Sequence, residues 1–260
     1  MKQPVPYDPP PVPRRPLAAL SKQQRAALPN LIVIGAAKCG TTALHRYLSL
    51  HPEIAMSQRK ELMLFGGNRW LERLGWYADQ FDASDRVRGE ASPSYTMDPF
   101  VPDVVAQMDA VLPSDTKFIY IVGDPIPRVV AHWGEQHGLG NDERTLDDAL
   151  RDLDPRANPY LAASRYGHHL GLFGARPVHV VDQADLRDDR RTALRALFAF
   201  VGVDDTFCSD GFDDEHNTAA TKIERPLLSD ESTAALRDYL TDDIARFRGL
   251  TGRDFAHWSL

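Results

Sequence analysis

Residues 28–52 read "LPNLIVIGAAKCGTTALHRYLSLHP". Leu31 to Ile34 is an unbroken apolar run, the pattern of a strand buried on both faces. A glycine-bounded turn follows, and from Thr42 to Leu50 the residues Leu44, Tyr47, Leu48 and then His51 recur at helical spacing. The same strand–turn–helix order returns in "KFIYIVGDPIPRVVAHW" (117–133), and a third strand, "PVHVVD" (177–182), leads to a helix across "RRTALRALFAFVGV" (190–203). Strands alternating with helices predict a single α/β domain with a central, mostly parallel sheet flanked by helices and right-handed crossovers. Ligands in such sheets bind beyond the carboxyl ends of the strands.

Outside this unit the chain is simpler. Residues 1–17, "MKQPVPYDPPPVPRRPL", are dense in proline, which lacks an amide donor and resists helix. Residues 1–28 are therefore expected to be a disordered or extended arm, with a short helix in "ALSKQQRAAL", and residues 29–260 to be the folded domain. "SDESTAALRDYLTDDIARFRGLTG" (229–252) reads as an amphipathic helix capped by Ser229 and ended by Gly252.

The composition, 43% hydrophobic and 26% charged, is that of a globular protein. A formal charge of −7 argues against nucleic acid as a partner but leaves room for a local basic pocket. Cys39 and Cys208 form no CxxC pair, so neither a disulfide framework nor a zinc site is indicated. Nine histidines show no HExxH or similar ligand spacing, and no metal is expected. No apolar stretch is long enough for a membrane span, and no signal-peptide core opens the chain. A cytoplasmic protein is expected, and the abundance of Ala, Arg and Asp suggests a bacterial source.

The strongest chemical signal is "GAAKCGTT" (35–42), a P-loop-like turn between a strand and a helix. Free N–H groups and the positive end of a helix attract an anion there. Gly35 and Gly40 permit a tight turn, Lys38 adds charge, and Thr41 and Thr42 add hydroxyl donors. The loop is not GxxxxGK[ST], because Thr41 follows Gly40 and the lysine lies inside the turn, and it is not GxGxxG.

These residues and their order resemble the sulfotransferases that use PAPS (3′-phosphoadenosine 5′-phosphosulfate), especially the bacterial members and the heparan sulfate branch. The resemblance covers about residues 30–260 and adds "HPEIAMSQRKELMLFG", "LGWYADQF", "RGEASPSYTMDP", "YIVGDPIPRVVAHW" and "ASRYGHHLGLF" to the loop, in the family's order. It implies a sulfotransferase fold and transfer of a sulfuryl group from PAPS to a hydroxyl or amine of a small-molecule or glycan acceptor, without a metal. By the same resemblance Lys38 follows charge onto the leaving phosphate, and Cys39, Gly40, Thr41 and Thr42 hold the 5′-phosphate. Glu90 is the general base with His132 as the alternative, and Lys60 faces the sulfate or the acceptor. Arg128, Tyr166, Lys222 and Arg225 lie toward the nucleotide. Trp133 either stacks on adenine or packs in the core.

The chain departs from the family pattern at its 3′-phosphate segment. The strand-end arginine and the serine eight residues later are Gly123 and Ala131 here, and the cation often beside the catalytic glutamate is Ala91. Residues 216–226 lack the usual basic-glycine motif. Two lost charge-assisted hydrogen bonds, each worth about 1.5–3 kcal/mol, would weaken PAPS by orders of magnitude. An alternative follows: a protein of this fold that has lost normal PAPS binding and acts on another anionic ligand or donor, or only binds.

Overall fold

The computed structural model of the protein describes residues 16–214 and 226–260. Lys222 and Arg225 lie outside the described residues, as does most of the proline-rich arm.

A 3₁₀ turn (Pro16–Ala19) and α1 (Lys22–Ala27) precede β1 (Leu31–Gly35) and α2 (Thr41–Ser49). Then come β2 (Ile54–Met56), α3 (Trp70–Ala78), β3 (Val87–Ala91), α4 (Val104–Val111), β4 (Lys117–Val122) and α5 (Pro125–Gly138). The rest is α6 (Leu146–Ala149), α7 (Pro159–Ala162), α8 (Tyr166–Phe173), β5 (Val178–Asp182), α9 (Gln183–Asp188), α10 (Arg190–Val201) and α11 (Asp230–Thr251).

The five strands form one sheet in the order β2-β3-β1-β4-β5, and every pair is parallel. This is the single α/β domain expected from the alternation of strands and helices. β1 is central, and all five of its residues are buried. Its neighbours β3 and β4 carry the chain away on opposite sides, so the crevice for a ligand opens at the carboxyl end of β1. Parallel pairing brings the ends of all the strands to one edge, where the loop after β1, Ser92, Gly123 and Gln183 follow their strands.

The folded part reaches further toward the N-terminus than residue 29. Ser21 and Gln24 form a reciprocal capping box at the start of α1, and Leu20 and Leu28 are buried in the core. The C-terminal helix has the expected caps: Ser229 Oγ accepts from Ser232 N–H at 3.1 Å, and Gly252 takes φ 66°. Among the described residues no helix is long and apolar enough to cross a membrane.

Candidate active site

The loop between β1 and α2 sets the geometry. Cys39 N–H bonds back to Ala36 O at 3.1 Å and closes a tight turn. Lys38 (φ 70°) and Gly40 (φ 95°) both adopt left-handed backbone, which for Gly40 carries no side-chain penalty. The chain then enters α2 without a side-chain cap, and the N–H groups of a first helical turn have no partners inside their helix. The anion-binding end of α2 therefore faces the mouth of the crevice.

A cleft of about 650 Å³ opens there. Lys38, Gly40, Thr41, Thr42, Lys60 and His132 line it, so six residues singled out in the sequence converge on one space. Three further groups in it were not foreseen as site residues: Glu61, Glu135 and Gln183. Lys38 Nζ bonds Glu135 Oε1 at 2.7 Å across the cleft. Lys60 Nζ pairs with the Glu61 carboxylate, and Glu61 sits at φ 63°, a strained conformation for a residue with a side chain. The sequence signal for Glu61 was its place beside Lys60 in "RKELMLFG".

Glu90 lies elsewhere. It sits in β3 with no solvent exposure and does not line the cleft. Tyr77 OH, Ser92 Oγ and Tyr95 OH donate to its carboxylate at 3.0, 2.6 and 2.7 Å. Burial pushes its pKa up against the lowering effect of these hydroxyls. A carboxylate shielded in this way has no reach to an acceptor, so the role of base expected for it does not fit the geometry.

Three of the expected nucleotide contacts are also buried braces. Arg128 is 3% exposed and donates to Ser164 Oγ at 3.0 and 2.6 Å, to Tyr160 O, and at 3.4 Å to Ala37 O of the loop. Its donors are committed to the protein. Tyr166 OH donates to Gly123 O at 3.0 Å and lies 3.6 Å from Cys39 Sγ. Burial raises the Cys39 thiol to about 11, so it stays protonated, and neither Cys39 nor Tyr166 lines the cleft. Trp133 packs in the core and donates to Arg144 O at 3.3 Å.

His132 faces the cleft but is held neutral. Burial, then Arg128 and Lys38, lower its pKa to about 3. Arg128 Nη1 stands 3.3 Å from His132 Nδ1. An imidazole that weakly basic is a poor proton acceptor at neutral pH.

At the end of β4, the space beside Gly123 is not empty. A Cβ built on Gly123 falls 2.8 Å from Gln183 Oε1 and 3.7 Å from Cys39 Sγ. Gln183, the first residue of α9, fills the room that a side chain at 123 would need. Ala131 lines the same cleft with only a methyl group. Among the described residues no group of His, Cys, Asp and Glu is arranged to hold a metal ion.

A family model described as the sulfotransferase domain matches residues 28–223. Similar proteins include the bifunctional heparan sulfate N-deacetylase/N-sulfotransferase 1 of Caenorhabditis elegans, 28% identical over 198 residues, which are 69% of this chain and 22% of that protein. The bifunctional heparan sulfate N-deacetylase/N-sulfotransferase of Drosophila melanogaster is 30% identical over 211 residues, covering 68% of this chain and 20% of that protein. The chain thus spans about a fifth of the length of these curated relatives. The crystal structure of a sulfotransferase from Alicyclobacillus acidocaldarius has the same fold, with TM-score 0.70 at 24% identity over 90% of this chain and 100% of that one.

Proposed function

This chain belongs to the sulfotransferase domain family, and from that premise we propose that it transfers a sulfuryl group from PAPS to a hydroxyl or amine. The observation that carries the proposal is the convergence of Lys38, the open first turn of α2, Lys60 and Glu61 on one cleft at the carboxyl end of β1. Anion-binding backbone, two cations and an accessible carboxylate are what an in-line transfer of a charged group needs.

PAPS supplies a sulfuryl group on a good leaving phosphate. The N–H groups and hydroxyls of Thr41 and Thr42 would hold the 5′-phosphate. Lys38 would leave Glu135 and stabilise charge on the oxygen where the S–O bond breaks. Glu61 would take the acceptor's proton as the new bond to sulfur forms. Lys60 would orient that carboxylate and neutralise the transferring group. Gln183 would face the nucleotide where relatives carry cations. The residues present fit a metal-free reaction, with Lys38 and Lys60 in the cation role.

The acceptor side of the cleft is apolar. Met63 and Phe100 are 45% and 41% exposed and line it with Pro93 and Met97. Apolar surface held open beside the base favours an acceptor with an aromatic or aliphatic face. A glycan amine is the second reading, supported by the names of the curated relatives and by Asn141 and Arg144 on the same cleft. A bacterial source, argued from the abundance of Ala, Arg and Asp, and a cytoplasmic setting, argued from the lack of a long apolar stretch, are part of this proposal.

The test is titration calorimetry with adenosine 3′,5′-bisphosphate, joined to transfer from labelled PAPS onto 2-naphthol, a long-chain alcohol and glucosamine. Binding that Lys38→Ala weakens, together with transfer to at least one acceptor, is expected. Adenosine 5′-phosphate binding as tightly as the bisphosphate would instead point to a different donor.

A further inference from the structure

Glu90 is buried, ionisable and outside the cleft, yet its surroundings lead directly to the cleft. Of the three hydroxyls that donate to it, two are also acceptors for one short segment of backbone. Met63 N–H donates to Ser92 Oγ at 3.1 Å, and Leu64 N–H donates to Tyr95 OH at 3.1 Å. Glu61 N–H completes the attachment with a 3.0 Å bond to Ala91 O, the residue after Glu90. The segment held this way is strained: Glu61 and Met63 have φ of 63° and 47°, a region that residues with side chains seldom enter. Such a conformation persists only where its surroundings over-determine it.

The direction of the hydrogen bonds matters. A carboxylate is an acceptor only, so both hydroxyl protons must point to Glu90 and both oxygens must turn their lone pairs to the backbone. An apolar residue at 90 would leave the hydroxyls free to rotate away, and an amide would compete with them as a donor. Hydrogen bonds chained like this strengthen one another in a low-dielectric interior.

We propose that Glu90 is a positioning residue for Glu61: through Ser92 and Tyr95 it locks the 61–64 segment so that the Glu61 carboxylate is presented to the acceptor. The proposal rests on the reading of Glu61 as the base. It assigns the two glutamates separate tasks, one inside the fold and one in the cleft.

The test uses the full chain with Glu90→Gln, and the milder Ser92→Ala, Tyr95→Phe and their double variant in case Glu90→Gln fails to fold. Amide hydrogen exchange at Met63 and Leu64 is expected to quicken by about tenfold or more in the double variant, while β1 and α2 keep their protection. The Kd of adenosine 3′,5′-bisphosphate is expected to stay within about threefold, and kcat with the fastest acceptor of the panel to fall by about tenfold or more. Unchanged exchange at Met63 and Leu64, a loss of protection throughout the sheet, or local loosening with an unaltered kcat each overturns the proposal. Glu61→Gln is run in the same assay. If it keeps the wild-type kcat, it is the identity of the base that fails, whatever the exchange data show.

Discussion

Lys38 Nζ and Glu135 Oε1 stand 2.7 Å apart and tie the phosphate loop to α5. Both side chains are partly exposed, at 30% and 44%, so their pairing contributes only ~0–1 kcal/mol and is readily exchanged for a stronger anion. On the proposed function, Glu135 is the holding partner of the cation that meets the donor. Glu135→Gln is expected to tighten adenosine 3′,5′-bisphosphate by up to about fivefold, an effect of ~1 kcal/mol. Lys38→Ala is expected to lower kcat by about 10²–10³. Calorimetry and initial rates measure both, and weaker nucleotide binding in Glu135→Gln would contradict the holding role.

Glu61 should be the more sensitive glutamate to isosteric change. Glu61→Gln keeps the shape of the cleft and an amide oxygen that can still accept from Lys60 Nζ, so binding of adenosine 3′,5′-bisphosphate should be retained. The rate should fall by about 10²–10⁴, the usual contribution of a positioned base. A loss confined to KM would show that Glu61 binds the acceptor without taking its proton.

The crowding between Gly123 and Gln183 makes a prediction about repair. Gly123→Arg alone is expected to gain little affinity for the 3′-phosphate, because Gln183 already stands 2.8 Å from the new Cβ. Gly123→Arg with Gln183→Ala is expected to prefer adenosine 3′,5′-bisphosphate over adenosine 5′-phosphate by about tenfold more than wild type does, equivalent to ~1.4 kcal/mol. Equal preference in the single and double variants, measured by calorimetry, would count against the exchange of places.

Two buried histidines should make the fold acid-sensitive well above the carboxylate range. His132 and His169 are both held near 3, chiefly by burial. The unfolded chain takes up these protons as pH falls through about 6.5, and the folded chain does not until about 3. Each histidine therefore contributes stability that is lost as pH falls across that window, at up to ~1.4 kcal/mol per pH unit. Glu90, whose pKa is raised, acts with the opposite sign above the usual glutamate value, so a variant is needed to isolate the effect. His169→Gln retains a donor for Ala162 O, which His169 Nε2 now meets at 2.8 Å. Urea unfolding at pH 7.5, 6 and 5 is expected to show a shallower loss of stability in this variant; an unaltered slope would exclude His169 from the effect.

Much of the fold was legible because its signals are local. The apolar run of β1, the glycine turn and the spacing of α2 sit within one stretch, and Ser229 and Gly252 mark their helix at both ends. β3 carries no strand signal of its own, because "VRGEA" has Arg88 and Glu90 where a buried strand should be apolar. Those residues are satisfied by groups remote in sequence: Arg88 Nε donates to Leu28 O at 3.1 Å, and Glu90 accepts from Tyr77. Arg128 was misplaced for the same reason. Its partners Ser164 and Tyr160 belong to elements more than thirty residues away, and no motif announces that they will surround it. The site divides in the same way. The loop residues are contiguous and line the cleft together, whereas which of Glu90 and Glu61 faces solvent is decided by packing that no short stretch of sequence displays.

Met63 offers a handle for redesign. Its N–H is held by Ser92 Oγ, while the residue is 45% exposed on the cleft. Identity at position 63 is thereby uncoupled from the shape of the loop that bears it. A library confined to this residue and Phe100 samples new acceptor pockets without touching the core, and glycine at 63 even relieves the φ of 47°. On the proposed function, a hydrogen-bonded floor lies under a replaceable wall, and the choice of acceptor is the property most open to change by a single codon.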